Sequence, residues 1–264
     1  MFRELRRLAR LCLLSLHLLL GALIALGVSL LPVPQLRRHV PKLSAWWLRH
    51  GTAVLGVRVL ARGQPHQAPV LMLANHISWL DILVLATQSD SAYVAKAEVA
   101  QWPLLGWLAQ VGGTEFVRRG SLEDARRVLG QMTRLLKGRQ QLTIFPEGTS
   151  GAKVLPARFR PRLLQAAVAA QVPVQPVAIY YGPHPERLAF VGDEGFLHNL
   201  WTLLGAEPVL AEITYLPVLG TRSGDCRLLA DESWRAVTHA LTRLELFERE
   251  AMAIPQAAAL AEAA

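Results

Sequence analysis

With 264 residues, 52% of them hydrophobic, and a mean hydropathy of +0.27, the chain is unusually apolar for a soluble enzyme and long enough for one medium domain plus an attachment. Its two cysteines, Cys12 and Cys226, lie far apart with no C-x-x-C pair, so a disulfide framework and a structural zinc site are not expected, which fits a reducing compartment. The formal charge of +8 does not point to nucleic acid, because residues 1–60 hold nine Arg or Lys against the single acid Glu4 and carry all of it.

Within that first segment, residues 11–31 contain no Lys, Arg, Asp or Glu. As a helix this run is about 31 Å long, close to the hydrocarbon thickness of a bilayer. A basic collar around an apolar helix suits anionic lipid headgroups. A cleaved signal peptide is disfavoured by the length of the run and the lack of a small-x-small cleavage site. Two arrangements remain, a single membrane span and a helical hairpin dipping into one leaflet. Basic residues on both flanks favour the hairpin, with Pro32 and Pro34 ending its first arm and Trp46-Trp47 marking the second at headgroup level. Residues 1–55 are therefore assigned to membrane attachment.

From residue 56 the pattern alternates between strands and helices, which predicts an α/β domain extending to residue 254. Strands are expected at 56–60, 69–74, 92–95, 114–117, 141–145, 173–180, 187–191 and 209–216. Helices are expected from Ser78, over 98–110 with a break at Pro103, over 121–137, over 163–170 and over 231–251. Ser121 with Asp124 caps the third of these and Gly138 stops it. Residues 255–264 are Ala-rich and are expected to be a disordered tail.

Several strand ends lead into chemically loaded turns. The apolar run 69–74 is followed by Asn75-His76-Ile77-Ser78-Trp79-Leu80-Asp81. An imidazole on the turn, folded back over a carboxylate in the first helical turn, is the arrangement of a general base. The alternative is structural, since Ser78-x-x-Asp81 also fits a capping box. The position at a strand's carboxyl end, where open α/β sheets place ligands, favours function. Phe116-Val117-Arg118-Arg119 ends another strand with two guanidiniums, which suit bidentate phosphate binding. Phe145-Pro146-Glu147-Gly148-Thr149-Ser150 follows a third, with Pro146 stiffening the turn and Gly148 allowing close backbone approach. Val172-Pro173 and Pro176 mark a Pro-kinked apolar strand.

In this order and spacing, Asn75-His76-x4-Asp81, Phe116-x-x-Arg119, Phe145-Pro-Glu-Gly-Thr149 and Val172-Pro173-x-x-Pro176 resemble the four motifs of the phospholipid/glycerol acyltransferase family. Individually the motifs are weak; four in order are specific, and the likeness spans residues 69–180. The resemblance implies a single acyltransferase domain with a central mixed sheet flanked by helices. It implies His76 as base with Asp81 as its orienting partner, and Arg119, Glu147, Gly148 and Thr149 at the acceptor's phosphate and glycerol. Asn75, Ser78, Lys96, Phe116, Arg118, Pro146 and Pro173 take supporting places, Lys96 in a Val-Ala-Lys-x-Glu stretch typical of the family. The implied reaction carries an acyl group from acyl-CoA or acyl carrier protein to a lysolipid hydroxyl, with no cofactor and no metal. The foremost implied acceptor is 1-acylglycerol-3-phosphate, with lyso-ornithine lipid or another lysophospholipid as the alternative.

Two departures concern the acceptor side. Ser150 stands where the common form has Arg, and Arg162 replaces the Gly of the usual Phe-Lys-x-Gly pattern in Arg158-Phe-Arg-Pro-Arg162. Residues 118–162 hold eleven basic groups against Glu123, Asp124 and Glu147, a field suited to phosphates or to acyl carrier protein. The rival classes are a non-catalytic binder of lysolipid or acyl carrier, which has no use for a base, and a hydrolase, for which no G-x-S-x-G elbow exists. The expected location is the cytoplasmic face of a bacterial inner membrane, among membrane lipids and without nucleic acid.

Overall fold

The computed structural model describes residues 2–30, 39–67, 69–102, 104–112, 114–117, 122–190 and 195–262. Two helices come first, α1 (Phe2–Leu30) and α2 (Val40–Val54). Seven strands follow among the described residues: β1 (Val57–Arg62), β2 (Leu71–Ala74), β3 (Ala92–Lys96), β4 (Glu115–Val117), β5 (Leu142–Ile144), β6 (Val174–Tyr180) and β7 (Val209–Tyr215). They form one sheet in the order β1-β7-β6-β2-β5-β3-β4. Every pairing is parallel except that of β6 with β7, so the sheet is mixed, as the resemblance implied. The interleaved helices are α3 (Leu80–Ala86), α4 (Leu105–Val111), α5 (Leu122–Lys137), α6 (Gln165–Ala170), α7 (Phe196–Gly205) and α8 (Cys226–Glu262).

Strand β2 lies in the middle of the sheet and is buried throughout. Its alternating side chains serve two cores, as the period of two requires. Met72 and Ala74 join Leu80, Val84 and Leu203 on one face. Leu71 and Leu73 join Val128, Met132 and Leu136 of α5 on the other, with Val237 and Leu241 of α8. A continuous apolar run at 70–74 is what a strand covered on both faces demands.

Helices α1 and α2 pack against each other. Trp47 Nε1 donates to the His17 carbonyl at 3.1 Å, and the two rings stack with centroids 4.6 Å apart. A methyl group at Gly21 would lie 2.7 Å from the Trp47 indole, so glycine sets how closely the helices approach. The turn assigned to Pro32 and Pro34 lies outside the described residues. Leucines such as Leu5, Leu13, Leu16 and Leu23 stay exposed, and α1 is long and apolar enough to cross a membrane.

The basic collar differs from expectation. Three of its arginines are held by protein rather than left for lipid. Arg6 pairs with Glu207 at 2.6 Å, and Arg7 pairs with Glu4 and lies 4.6 Å from the Trp201 ring centre. Buried Arg10 places Nη1 2.8 Å from the Ala206 carbonyl and 3.2–3.3 Å from those of Leu203 and Leu204. These carbonyls end α7, where a helix has unmet acceptors and its dipole favours a cation. Composition showed the charges but not that a helix terminus would lie opposite them.

Three element assignments also change. Residues 187–190 form no strand: the backbone N–H groups of Leu188 and Ala189 turn back to the Pro185 carbonyl, and that of Phe190 goes to Ile77. Helix α7 had no counterpart in the sequence reading. The terminal helix starts at Cys226, where Asp225 accepts from the Arg227 and Leu228 N–H groups, and continues through Pro255 to Glu262. Residues 255–262, within the stretch expected to be a disordered tail, continue this helix, in keeping with the high helix propensity of its alanines. The predicted cap at Ser121 lies outside the described residues.

Replacing Arg10 with Met keeps an unbranched apolar stem but strips the end of α7 of its cation. Lost charge-assisted bonds of this kind cost about 1.5–3 kcal/mol. Arg10→Met is expected to lower the unfolding midpoint and to speed amide exchange in the last turn of α7 and across α1, as read by hydrogen–deuterium exchange in detergent.

Candidate active site

Parallel pairing brings several predicted residues to one edge of the sheet. Leu142 of β5 is level with both Leu71 of β2 and Ala92 of β3, and β4 continues beside β3 up to Lys96↔Val117. The carboxyl ends of β2, β3, β4 and β5 therefore open on the same side, with the turn at residues 75–79 at the centre.

Every backbone polar group of residues 76–78 has a partner, and each partner fixes the turn in a different direction. The His76 N–H donates to Glu147 Oε1 at 2.8 Å, while its carbonyl accepts from Gly151 at 2.9 Å. The Ile77 and Ser78 N–H groups both donate to Asp81 Oδ2, at 2.7 and 3.0 Å. The Ile77 carbonyl accepts from Phe190 and that of Ser78 from the Asp81 N–H, both at 3.1 Å. Just upstream, the Asn75 amide replaces a strand partner: Nδ2 donates to the Ile179 carbonyl and Oδ1 accepts its N–H. A buried turn is stable only when its donors and acceptors are met in this way.

The turn folds His76 back onto Asp81. Nδ1 of the imidazole lies 2.8 Å from Oδ2 of a carboxylate that has no exposure to water. Its neighbour is an acceptor, so Nδ1 carries the ring proton and Nε2 is left as a lone-pair site. Nε2 makes no hydrogen bond among the described residues, and the side chain keeps 21% exposure. The Phe145 ring stacks on the imidazole with centroids 4.1 Å apart, restricting rotation out of line. Tyr181 supplies the last contact: its hydroxyl donates to Asp81 Oδ1 at 2.8 Å. Burial, with Asp81 beside it, holds that hydroxyl well above the usual tyrosine range and keeps it a donor.

The remaining predicted residues divide by location. Glu147 is buried, and besides holding His76 its Oε2 accepts from the Ala157 N–H at 2.8 Å. Both oxygens thus brace backbone, where the resemblance implied contact with the acceptor. Burial pushes its carboxyl up from the usual range, and the two N–H donors oppose that shift. Gly148 has φ +80°, a left-handed turn that admits glycine, and the Arg160 guanidinium packs against it. Pro146 is buried and accepts from the Arg160 N–H at 3.0 Å; Thr149 is exposed, with a local contact only. Ser78 Oγ is buried without a partner, so of the capping box only the Asp81 half is realised. Phe116 sits on the edge strand β4. Arg118, Arg119 and the Lys96 side chain lie outside the described residues. Pro173 is not brought to the site: its carbonyl accepts from Leu71 N–H at the opposite end of β2, because it starts its strand instead of ending it.

His76 lines a cavity of about 1960 Å³ that continues past Trp79 and Phe145 to Leu14, Leu18 and Gly21 of α1. This exceeds the roughly 300–1,000 Å³ of ordinary small-molecule pockets. Arg160 and Arg162 also line it, whereas Arg158 is turned away, 2.7 Å from Asp231 and over the Trp234 ring. Among the described residues no cluster of His, Cys, Asp and Glu fit to hold a metal ion is found.

A sequence model of the Acyltransferase family matches residues 57–180. A lyso-ornithine lipid O-acyltransferase of Pseudomonas aeruginosa is 37% identical over 245 residues, covering 88% of this chain and 95% of the relative. The chain belongs to the acyltransferase family. A 1-acyl-sn-glycerol-3-phosphate acyltransferase of Neisseria gonorrhoeae is 31% identical, covering 69% of this chain and 74% of its own length. The crystal structure of the acyltransferase PlsC of Thermotoga maritima has the same fold, with a TM-score of 0.68 at 22% identity, covering 92% of this chain and 97% of that one.

Sequence reasoning missed two residues of this acyltransferase's site. Phe145 was read as the end of a strand, although its position just before Pro146-Glu147 made it the residue most apt to face the His76 turn. Tyr181 directly follows the strand predicted at 173–180, and an aromatic hydroxyl at a strand's carboxyl end was the available signal. Tyr181→Phe leaves the fully buried Asp81 Oδ1 without its donor. The expected loss is about 1.5–3 kcal/mol of stability, or roughly 3–12 °C in unfolding midpoint. Thermal unfolding followed by circular dichroism checks it, and a midpoint unchanged within error contradicts the assigned bond.

Proposed function

We propose that this acyltransferase works by direct transfer, with His76 as general base and Asp81 as its orienting partner. Nε2 takes the proton of a lysolipid hydroxyl while that oxygen attacks the carbonyl carbon of an acyl thioester. The tetrahedral intermediate collapses by breaking the carbon–sulfur bond, and the proton held on Nε2 passes to the departing thiolate. One ester forms, one thioester breaks, and no acyl-enzyme is needed. The observation that carries this reading is the 2.8 Å contact of Nδ1 with a buried carboxylate whose remaining contacts leave it no freedom to turn.

The acceptor best supported is lyso-ornithine lipid. The Pseudomonas relative named for it aligns over nearly its whole length. Ser150, where Arg is common, directs its hydroxyl to the Phe190 carbonyl rather than presenting a cation to a phosphate. A second reading, 1-acylglycerol-3-phosphate, is favoured by the Neisseria relative. Under either, Glu147 acts through the His76 backbone. Arg119 is the candidate partner for an anionic headgroup, with Arg118, Lys96, Gly148 and Thr149 nearby in the motif pattern. The donor is acyl-CoA or acyl carrier protein, drawn by the basic residues of 118–162. The large apolar cavity suits aliphatic chains, and α1 and α2 are assigned to one leaflet at the cytoplasmic face of the inner membrane. Arg10 supports that topology, since it ties the N-terminal end of α1 to the same body that carries His76.

His76→Ala is expected to reduce acyl transfer by about 10²–10⁴-fold, the usual contribution of a general base, with unfolding and membrane partition unchanged. Activity within a few-fold of the unmutated enzyme rules the role out. The acceptor is decided by offering purified enzyme lyso-ornithine lipid and lysophosphatidic acid with one fixed thioester donor and identifying products by mass. Higher kcat/KM for lyso-ornithine lipid is expected, and the reverse order establishes the second reading.

A further inference from the structure

Helix α7 meets the His76 turn through one side chain, Asn199, and does so from two sides. Its Oδ1 accepts from Trp79 Nε1 at 2.9 Å, and its Nδ2 donates to the Ala189 carbonyl at 2.9 Å. Trp79 is the residue before α3, two positions from Asp81, and its indole forms part of the cavity wall beside His76. Ala189 precedes Phe190, whose N–H donates to the Ile77 carbonyl and whose own carbonyl accepts from Ser150 Oγ. One primary amide therefore fixes the start of α3 with one hand and, with the other, the loop that holds the middle of the turn.

The anchor behind Asn199 is itself immobilised. The far end of α7 is held by Arg10 of α1 and by the Arg6–Glu207 pair, and Leu203 and Leu204 are buried in the core that also contains Leu80 and Val84 of α3. Near its start, Phe196 packs edge-on against Trp79 at 5.2 Å between centroids. An amide on a helix fixed at both ends is a rigid reference point. Asn is well suited to the task because it presents one acceptor and two donors on a short stem, and here the acceptor meets an indole N–H and a donor meets a carbonyl.

We infer that Asn199 is a positioning residue for acyl transfer, holding the Trp79 wall and the residue-190 loop so that the His76–Asp81 turn keeps its geometry. This goes beyond the general-base reading and rests on it. Acyl transfer demands near-attack alignment of the hydroxyl, the thioester carbon and Nε2, and displacement of about 1 Å can cost on the order of 10²-fold in rate. Asn199 acts through its neighbours, so its loss should appear in kcat and not in the binding of either substrate.

The test uses the full chain in one detergent or vesicle system with three single variants and one double. Asn199→Leu removes both bonds, Asn199→Asp retains an acceptor for Trp79 but sets an oxygen against the Ala189 carbonyl, and Trp79→Phe removes the indole donor alone. Asn199→Leu is expected to lower kcat about 10–100-fold, with KM for donor and acceptor within about threefold and the loss undiminished after correction for folded fraction. Asn199→Asp should show a smaller kcat loss in the same direction, and serves as the reading if Asn199→Leu does not fold. Adding Trp79→Phe to Asn199→Leu should cost less than it does alone, the non-additivity of two residues on one path. The inference is overturned if Asn199→Leu or Asn199→Asp keeps kcat within about twofold, if KM rises in place of a fall in kcat, or if the double variant is additive. Failure of the general-base reading is separate: it shows as His76→Ala retaining activity while the unmutated protein transfers acyl groups.

Discussion

A carboxylate removed entirely from water is costly, by several kcal/mol, unless hydrogen bonds replace its hydration. Asp81 meets that condition with four donors: the His76 imidazole, the N–H groups of Ile77 and Ser78, and the Tyr181 hydroxyl. Three of the four come from the turn that Asp81 itself follows. Satisfying the carboxylate and shaping the turn are thus the same event. The His76 side chain has one place to lie because the carboxylate has one geometry in which all its donors reach it. Glu147 repeats the device on the other flank, with a second buried carboxyl that clasps His76 and Ala157 by their backbones.

The two readings that the sequence left open for Ser78-x-x-Asp81 turn out to be compatible. Asp81 does satisfy N–H groups at the start of α3, as a capping residue would, and the same oxygen accepts a hydrogen bond from the imidazole Nδ1. A spacing rule that treats capping and catalysis as rivals assumes one partner per oxygen, but a carboxylate oxygen has room for several. The placing of the first three motifs at strand ends was legible because each follows an apolar run, and parallel strands bring their carboxyl ends to one edge. The reading of 187–191 as a strand had a different cause. Leu188 and Ala189 are buried, and burial on a loop looks the same in sequence as burial on a strand.

Long-range polar contacts were the least accessible. Nothing local marks Arg10 as the cap of a helix 193 residues away, or Asn199 as a bridge between residues 79 and 189. Net charge by segment suggested lipid for the arginines at 3–10, whereas the folded chain gives Arg6, Arg7 and Arg10 to Glu207, Trp201 and the end of α7. Counting charges identifies a surplus; only the fold says which of them are already matched. Glu147 illustrates the same limit from the other side, since its motif suggested a ligand contact and its oxygens reach backbone.

The middle position of β2 has a thermodynamic consequence. Three strands lie on each side of it, so the outer strands β1 and β4 can fray without exposing the segment that leads into His76. Proteins open locally from their edges inward, and the last region to open shares the free energy of global unfolding. Amide hydrogens at 71–74 accordingly belong to the slowest-exchanging class of the molecule. Heat or denaturant that spares the global fold therefore leaves in place the strand that leads into the His76 turn.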